Sequence, residues 1–383
     1  MSARRGAPFV VGVREVNGAL GDLGTLLPLV LGAVSVAGLA PTPILLGFAV
    51  VYLATGLYYR LPVPVQPMKA VAAVVLTAGA GPAALATSGV LLGIVLLVLG
   101  LTGWIARLGR LVPQSVLAGL QLGLGLSLAG VGLDLMAPDL ALGAGILLAL
   151  LGLLWLAPRA PAILIVVALA IPLADLLGAR QLDIAALDGG WLAVAPLPQW
   201  AEVERAASLL VVPQLSLTFM NAVVLTALVA GDYFGERAAH VTSARLAVSS
   251  GLANLVLTPF GALPMCHGAG GLAAHYRFGA RSGAAPVMLG LALLALAVMP
   301  AAVGGAVLSA IPAAALGALL LLAAGELGCS RRLIDCRRSC WPVIAVTAAV
   351  TVWLDPFWGL LAGGCAEVGR AAVVRRLGAA ERT

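Results

Sequence analysis

Apolar runs cut at short intervals by glycine, proline and arginine extend from residue 9 to residue 372. A helix needs about 20 mainly apolar residues to cross the hydrocarbon of a bilayer, so this pattern predicts a series of transmembrane helices. They are expected near residues 9–35, 42–59, 64–80, 83–105, 112–133, 140–157 and 161–178. A second set is expected near 206–230, 239–258, 264–276, 283–304, 308–327, 341–354 and 356–372. The chain therefore reads as an all-α polytopic membrane protein of 14 transmembrane segments.

Between the two sets lies the longest polar stretch, "GARQLDIAALDGGWLAVAPLPQWAEVERAAS", with Asp183, Asp188, Glu202 and Glu204. It divides the chain into residues 1–180 (crossings 1 to 7), a linker at 181–204 and residues 205–383 (crossings 8 to 14). Seven crossings per half turn the second half upside down relative to the first, which is the architecture of 7+7 inverted repeats. Arginine placement agrees with a cytoplasmic N-terminus. Arginines from Arg4 and Arg5 to Arg375 and Arg376 then fall inside, and only Arg180 and Arg205 fall outside, beside Asp134, Asp139, Asp355 and the linker acids. The expected location is the cell membrane, with both termini cytoplasmic and the linker extracellular or periplasmic.

Composition supports this reading: 62% of residues are apolar, 10% are charged, and the mean hydropathy is +1.09, outside the range of a soluble domain. The pI of about 9.4 then reflects topology signals beside anionic lipid rather than nucleic-acid binding. At the N-terminus, Arg14, Glu15 and Asp22 interrupt what would be the apolar core of a cleavable signal, so none is expected.

Two segments break the apolar pattern in corresponding places. "PVPVQPMKAVAAV", starting at Pro62, and "ALPMCHGAGGLAAH", starting at Ala262, each open the third crossing of their half. Paired interruptions of this kind mark the binding site of many transporters. A proline-rich entry followed by a half-helix leaves unpaired backbone N–H groups near the bilayer midplane, at the positive end of the helix dipole, where an anion fits. The competing reading is that proline and glycine only kink or pack the helices. Lys69, the only lysine in the chain, stands at one of these breaks. It either snorkels to an interface or serves a function deep in the membrane.

Asp22 sits among glycines in the first crossing, and three roles are open to it: neutralising Lys69, carrying a coupling proton, or capping broken backbone. Glu15, nearer the cytoplasmic end, is expected to pair with Arg14 or another surface arginine. In the eighth crossing Gln214, Thr218 and Asn221 share a helix face, either for interhelical hydrogen bonds or to line the same cavity. Cys329, Cys336 and Cys340 lack a CxxC spacing and are expected as reduced thiols near a loop rather than a metal site. Neither an HExxH nor a GxSxG cluster is present, so an enzyme is not expected and no cofactor or metal is called for.

"NGALGDLGTLLPLVLGA", "PVPVQPMKAVAA" and "LPMCHGAGGLAAHYRFGARSG" resemble the signature segments of the molybdate transporter family, a branch related to the sulfate permeases. The third is the most specific, because of its irregular run Pro264, Met265, Cys266, His267, Gly268, Gly270, Gly271, His275, Tyr276 and Arg277. The resemblance implies the fold of sulfate and uracil permeases, in which crossings 1–4 and 8–11 form a core and 5–7 and 12–14 a gate. It also implies an energised importer that binds an oxyanion between crossings 3 and 10, with alternating access by motion of the core against the gate. On that basis the expected substrate-binding residues are Thr25, Gln66, Pro67, Met68, Lys69, Gln214, Thr218, Asn221, Cys266, His267, Gly268 and Gly270. Asp22 or His267 would compensate charge or carry a coupling proton. The expected substrate is molybdate, with tungstate or sulfate as close competitors, and the expected assembly is a homodimer through the gates. The chain ends soon after the last crossing, so the soluble C-terminal domain of many sulfate permeases is not expected. A general oxyanion permease and an anion channel are the alternatives.

Overall fold

The computed structural model describes residues 9–104, 113–182, 198–299 and 306–380. The expected linker acids Asp183 and Asp188 lie outside them. Helix α1 (Val13–Gly21) meets α2 (Leu23–Ser35) at Asp22 with a bend of 46°, so the first expected crossing is a broken helix. Helix α3 (Pro41–Tyr59) starts with proline in its first turn, where the missing N–H costs nothing. After it come the short strand β1 (Gln66–Pro67), the ten-residue α4 (Lys69–Ala78) and α5 (Pro82–Thr102). The first half ends with α6 (Gln114–Met136), α7 (Leu140–Leu156) and α8 (Ala162–Leu177).

The second half opens with α9 (Trp200–Ala206), whose capping box of Gln199 and Glu202 starts the helix inside the expected linker. A π-helical turn (Ala207–Val211), α10 (Val212–Leu217), a second π-helical turn (Thr218–Val224) and α11 (Leu225–Phe234) complete the eighth segment. Next come α12 (Ser243–Leu257), β2 (Met265–Cys266), the ten-residue α13 (Ala269–Phe278) and α14 (Ala284–Ala297). The chain closes with α15 (Ala313–Gly328), α16 (Arg331–Ile334), α17 (Trp341–Trp353) and α18 (Pro356–Ala380).

Among the described residues, four helical stretches are long and apolar enough to cross a membrane alone, or six if each bent pair counts as one span. Other expected crossings consist of shorter apolar helices, with α4 and α13 the shortest. Large apolar side chains stand on the outside, including Trp155 and Trp353 at 82% exposure each. Such a surface suits lipid and not water.

Buried apolar residues gather in two clusters. One draws mainly on α2–α5 and α10–α14, with Leu117, Leu120 and Leu124 of α6; the other centres on α7, α8 and α15, with residues from α2, α4 and the end of α6. Glycines bring three helix pairs close together: α3 with α14, α5 with α12, and α6 with α15. At the α5–α12 crossing a methyl group on Gly93 would lie 2.9 Å from the Gly251 carbonyl oxygen, and one on Gly251 2.9 Å from that of Gly93. This is the small-residue packing that lets helices associate without a hydrophobic drive.

Candidate functional site

The two interrupted segments meet. β1 and β2 pair antiparallel with Gln66 opposite Cys266 and Pro67 opposite Met265, and the Met68 N–H donates to the Pro264 carbonyl at 2.9 Å. Asn254 on α12 satisfies the backbone of Met265, donating to its carbonyl at 2.7 Å and accepting from its N–H at 2.8 Å. The ribbon is two residues long because each strand runs directly into a half-helix, α4 at Lys69 and α13 at Ala269.

Neither half-helix has a side-chain cap from its own N-cap residue, Met68 or Gly268. For α4 the eighth segment supplies one. Gln214 Oε1 accepts from the N–H groups of Ala70 at 2.9 Å and Val71 at 3.2 Å, while its amide nitrogen donates to Thr218 Oγ1 at 2.8 Å. Proline at the second position of α10 and the π-helical turns on either side of that helix break the regular bonding of this segment. For α13 nothing equivalent is present: among the described residues the N–H groups of Ala269, Gly270 and Gly271 make no hydrogen bond.

A cavity of about 320 Å³ opens at these helix ends. It is lined by eight of the expected binding residues: Gln66, Pro67, Lys69, Gln214, Thr218, Cys266, Gly268 and Gly270. Its far wall carries Glu326 from α15 together with Arg331 and Arg332 from α16. A second cavity of about 490 Å³ takes in Thr25 and Arg277 and shares Lys69, Gly270 and Glu326 with the first. Lys69 is half-buried, and among the described residues it forms no salt bridge.

Some expected residues lie elsewhere. Met68 is fully buried, and the Asn221 side chain lies outside the described residues. His267 is buried and faces away from both cavities: its Nδ1 donates to the Pro64 carbonyl at 2.8 Å, so its Nε2, 2.7 Å from Ser249 Oγ, is the acceptor of the neutral ring. Tyr59 extends the chain, with its hydroxyl 2.9 Å from Ser249 Oγ. His267 therefore braces the break and does not line the cavity. Glu15 departs from expectation too, because its Oε1 accepts the Arg281 backbone N–H at 2.8 Å and among the described residues no guanidinium pairs with it.

Asp22 is 1% exposed and lines neither cavity. Its carboxylate accepts from the Tyr52 hydroxyl at 2.5 Å and from the Gln66 side-chain amide, and His275 Nε2 lies 3.6 Å away. His275 is held by a 2.7 Å bond from Nδ1 to the Gly18 carbonyl. Asp22 thus orients Gln66 from behind the cavity and is not placed as the direct partner of Lys69. Glu326 is the carboxylate that faces Lys69 and interacts with it electrostatically, with Thr25 beside it. Sequence reasoning missed Glu326, and its one signal is a lone acid in the otherwise apolar "AAALGALLLLAAGELG".

An added methyl group at Gly268 would meet only the end of the Gln66 side chain, whereas at Gly271 it would meet the Gln66 amide and the Pro64 ring together. At Gly271 the Asp22 carboxylate would also be only 2.6 Å away. Gly270 faces open space, with nothing within 4 Å. Gly271→Ala is accordingly expected to displace Gln66 and lower the thermal unfolding midpoint in detergent. Gly270→Ala is expected to leave that midpoint unchanged while narrowing the cavity. Equal effects of the two substitutions would contradict this geometry.

The whole arrangement has solved counterparts. The transmembrane domain of the cyanobacterial bicarbonate transporter BicA superposes with a TM-score of 0.68 at 17% identity, covering 91% of this chain and 96% of that one. The murine Slc26a9 anion transporter, solved in its inward-facing state, gives 0.69 at 15% identity, covering 98% of this chain and 70% of that one. These likenesses define the fold, that of a multi-pass membrane protein. A profile of the family described as "Molybdate transporter of MFS superfamily" matches residues 14–128 and 206–327, and the chain belongs to that family. Among its relatives, Molybdate transporter 2 of Arabidopsis thaliana is 29% identical over 88% of this chain and 82% of its own length. Molybdate transporter 1 of the same plant is 29% identical over 91% and 86%.

Proposed function

We propose that this protein is a secondary active transporter that imports molybdate, binding it in the 320 Å³ cavity between the starts of α4 and α13. The observation that carries this reading is the convergence of two half-helix N-termini and the one lysine of the chain on a single cavity. A tetrahedral dianion there would accept hydrogen bonds from the free N–H groups of Ala269, Gly270 and Gly271 and from the side chains of Gln66 and Thr218, with Lys69 offsetting charge. Thr25 faces the adjoining cavity and would receive the ion along its path.

Alternating access is supported by the two buried clusters. The half-helices belong chiefly to the first, and most of α15 belongs to the second. The adjoining cavity is lined from both, by Leu20 and Leu164 beside the first cluster and by Ile163 and Leu322 of the second, which suits a core moving against a gate. Helix pairing supports the inverted repeat, since crossing 2 packs on crossing 11 and crossing 4 on crossing 9, two pairs that exchange when the halves do. Both cavities reach residues that the arginine pattern assigns to the cytoplasm, Arg277 in one and Arg331 and Arg332 in the other. With the termini cytoplasmic, this favours an inward-open state.

The test is molybdate binding by the purified protein in detergent, with sulfate and tungstate as competitors. Saturable molybdate binding that excess sulfate fails to displace is the expected result. Equal competition by sulfate would make this a general oxyanion carrier. Linear, unsaturable flux in proteoliposomes would make it a channel.

A further inference from the structure

We infer that Glu326 is the proton-accepting group of this transporter, taking up one proton from solution for each oxyanion bound beside Lys69. The inference rests on the reading of the cavity as an oxyanion site, and it deepens that reading by naming how the charge is balanced.

Among the described residues Glu326 is the only carboxylate lining either cavity, and it lines both. Lys69 and Gly270 do the same, so the acid stands across from the half-helix ends where the anion would sit. When ionised, Glu326 is the counter-charge in electrostatic reach of Lys69 across the cavity. A dianion entering that space meets the cation it needs and a like charge that opposes it. Beside buried protein groups, where the effective dielectric is lower than that of water, such repulsion exceeds its value in bulk solvent. A proton on Glu326 removes the repulsion and turns the acid into a hydrogen-bond donor toward an oxyanion oxygen. No bond to the anion is made or broken; the proton comes from water on one side and leaves to water on the other.

The other titratable and charged groups around Glu326 are accounted for. Among the described residues it shares the two cavities with Lys69 from α4, Cys266 from β2, Arg331 and Arg332 from α16, Arg277 from α13 and Tyr233 from α11. Asp22, at the junction of α1 and α2, is a further carboxylate in electrostatic reach, but Tyr52 and Gln66 engage its oxygens and His275 stands beside it.

The experiment is calorimetric titration of molybdate into the full-length protein in buffers of different ionisation enthalpy, across pH, for wild type, Glu326→Gln and Glu326→Asp. Wild type is expected to take up one proton per anion and to bind more tightly as pH falls, by up to about tenfold per pH unit. Glu326→Gln is expected to bind with no proton uptake and a flat pH profile, and Glu326→Asp to restore the slope. If Glu326→Gln keeps the wild-type slope and proton uptake, the assignment of Glu326 fails while the substrate reading stands. If wild type binds no molybdate at any pH, the substrate reading fails and this inference with it.

Discussion

Lys69→Ala is expected to abolish useful molybdate binding while leaving the fold intact. The side chain forms no salt bridge among the described residues, so its removal breaks no packed ion pair. What it does remove is the lysine charge at the half-helix ends, leaving Glu326 to face the incoming dianion with only Arg331 and Arg332 of the same wall as cations. Truncating one side of a desolvated charge pair typically costs about 3 kcal/mol, which corresponds to a loss of roughly 150-fold in affinity. Lys69→Arg is not expected to rescue fully, because a planar fork replaces a compact ammonium in a cavity shaped around the latter. Unchanged affinity in Lys69→Ala, measured beside an unchanged unfolding midpoint, would remove Lys69 from the site.

Asp22→Ala is expected to act on stability first. The carboxylate is the shared acceptor of the Tyr52 hydroxyl and the Gln66 amide, with His275 Nε2 at 3.6 Å and otherwise without a hydrogen-bond partner. Removing it strands these polar groups in the protein interior, at about 1–3 kcal/mol for each unsatisfied group. A total loss of about 3 kcal/mol or more is expected, read as a lowered unfolding midpoint in detergent. Gln66 would also lose its anchor, so binding should fall in whatever folded protein remains. A variant as stable as wild type would show that Asp22 is not the junction described above.

The paired breaks were legible because they rest on covalent facts. Proline lacks an N–H and glycine lacks a Cβ, and both stand in corresponding places of a pattern that otherwise runs on. Lys69 was legible because it is alone. Gln214 and Thr218 were placed on a shared face, and the cavity alternative holds for both, although Gln214 also caps α4. The roles of Asp22, His267 and Glu326 were not legible, for a common reason. Each depends on which way a side chain points across elements far apart in sequence, and periodicity within one helix carries no such information. Asp22 turns toward Tyr52 and Gln66, His267 is held by Pro64 and Ser249, and Glu326 reaches the cavity from α15. The eighth segment starts earlier than its apolar pattern, because the capping box at Gln199 extends the helix through polar residues.

The two-residue ribbon has a consequence for how the chain is made. Gln66 and Pro67 find their pairing partners only at Cys266 and Met265, about 200 residues later. Until then, the ten-residue helix that begins at Lys69 is too short to cross hydrocarbon, and the strand before it has unpaired backbone at membrane depth. The first half of the nascent protein cannot finish its own centre. The break, with Lys69 beside it, stays unpaired until the second half arrives. Truncated products ending before residue 265 should accordingly be degraded and not accumulate as stable half-transporters.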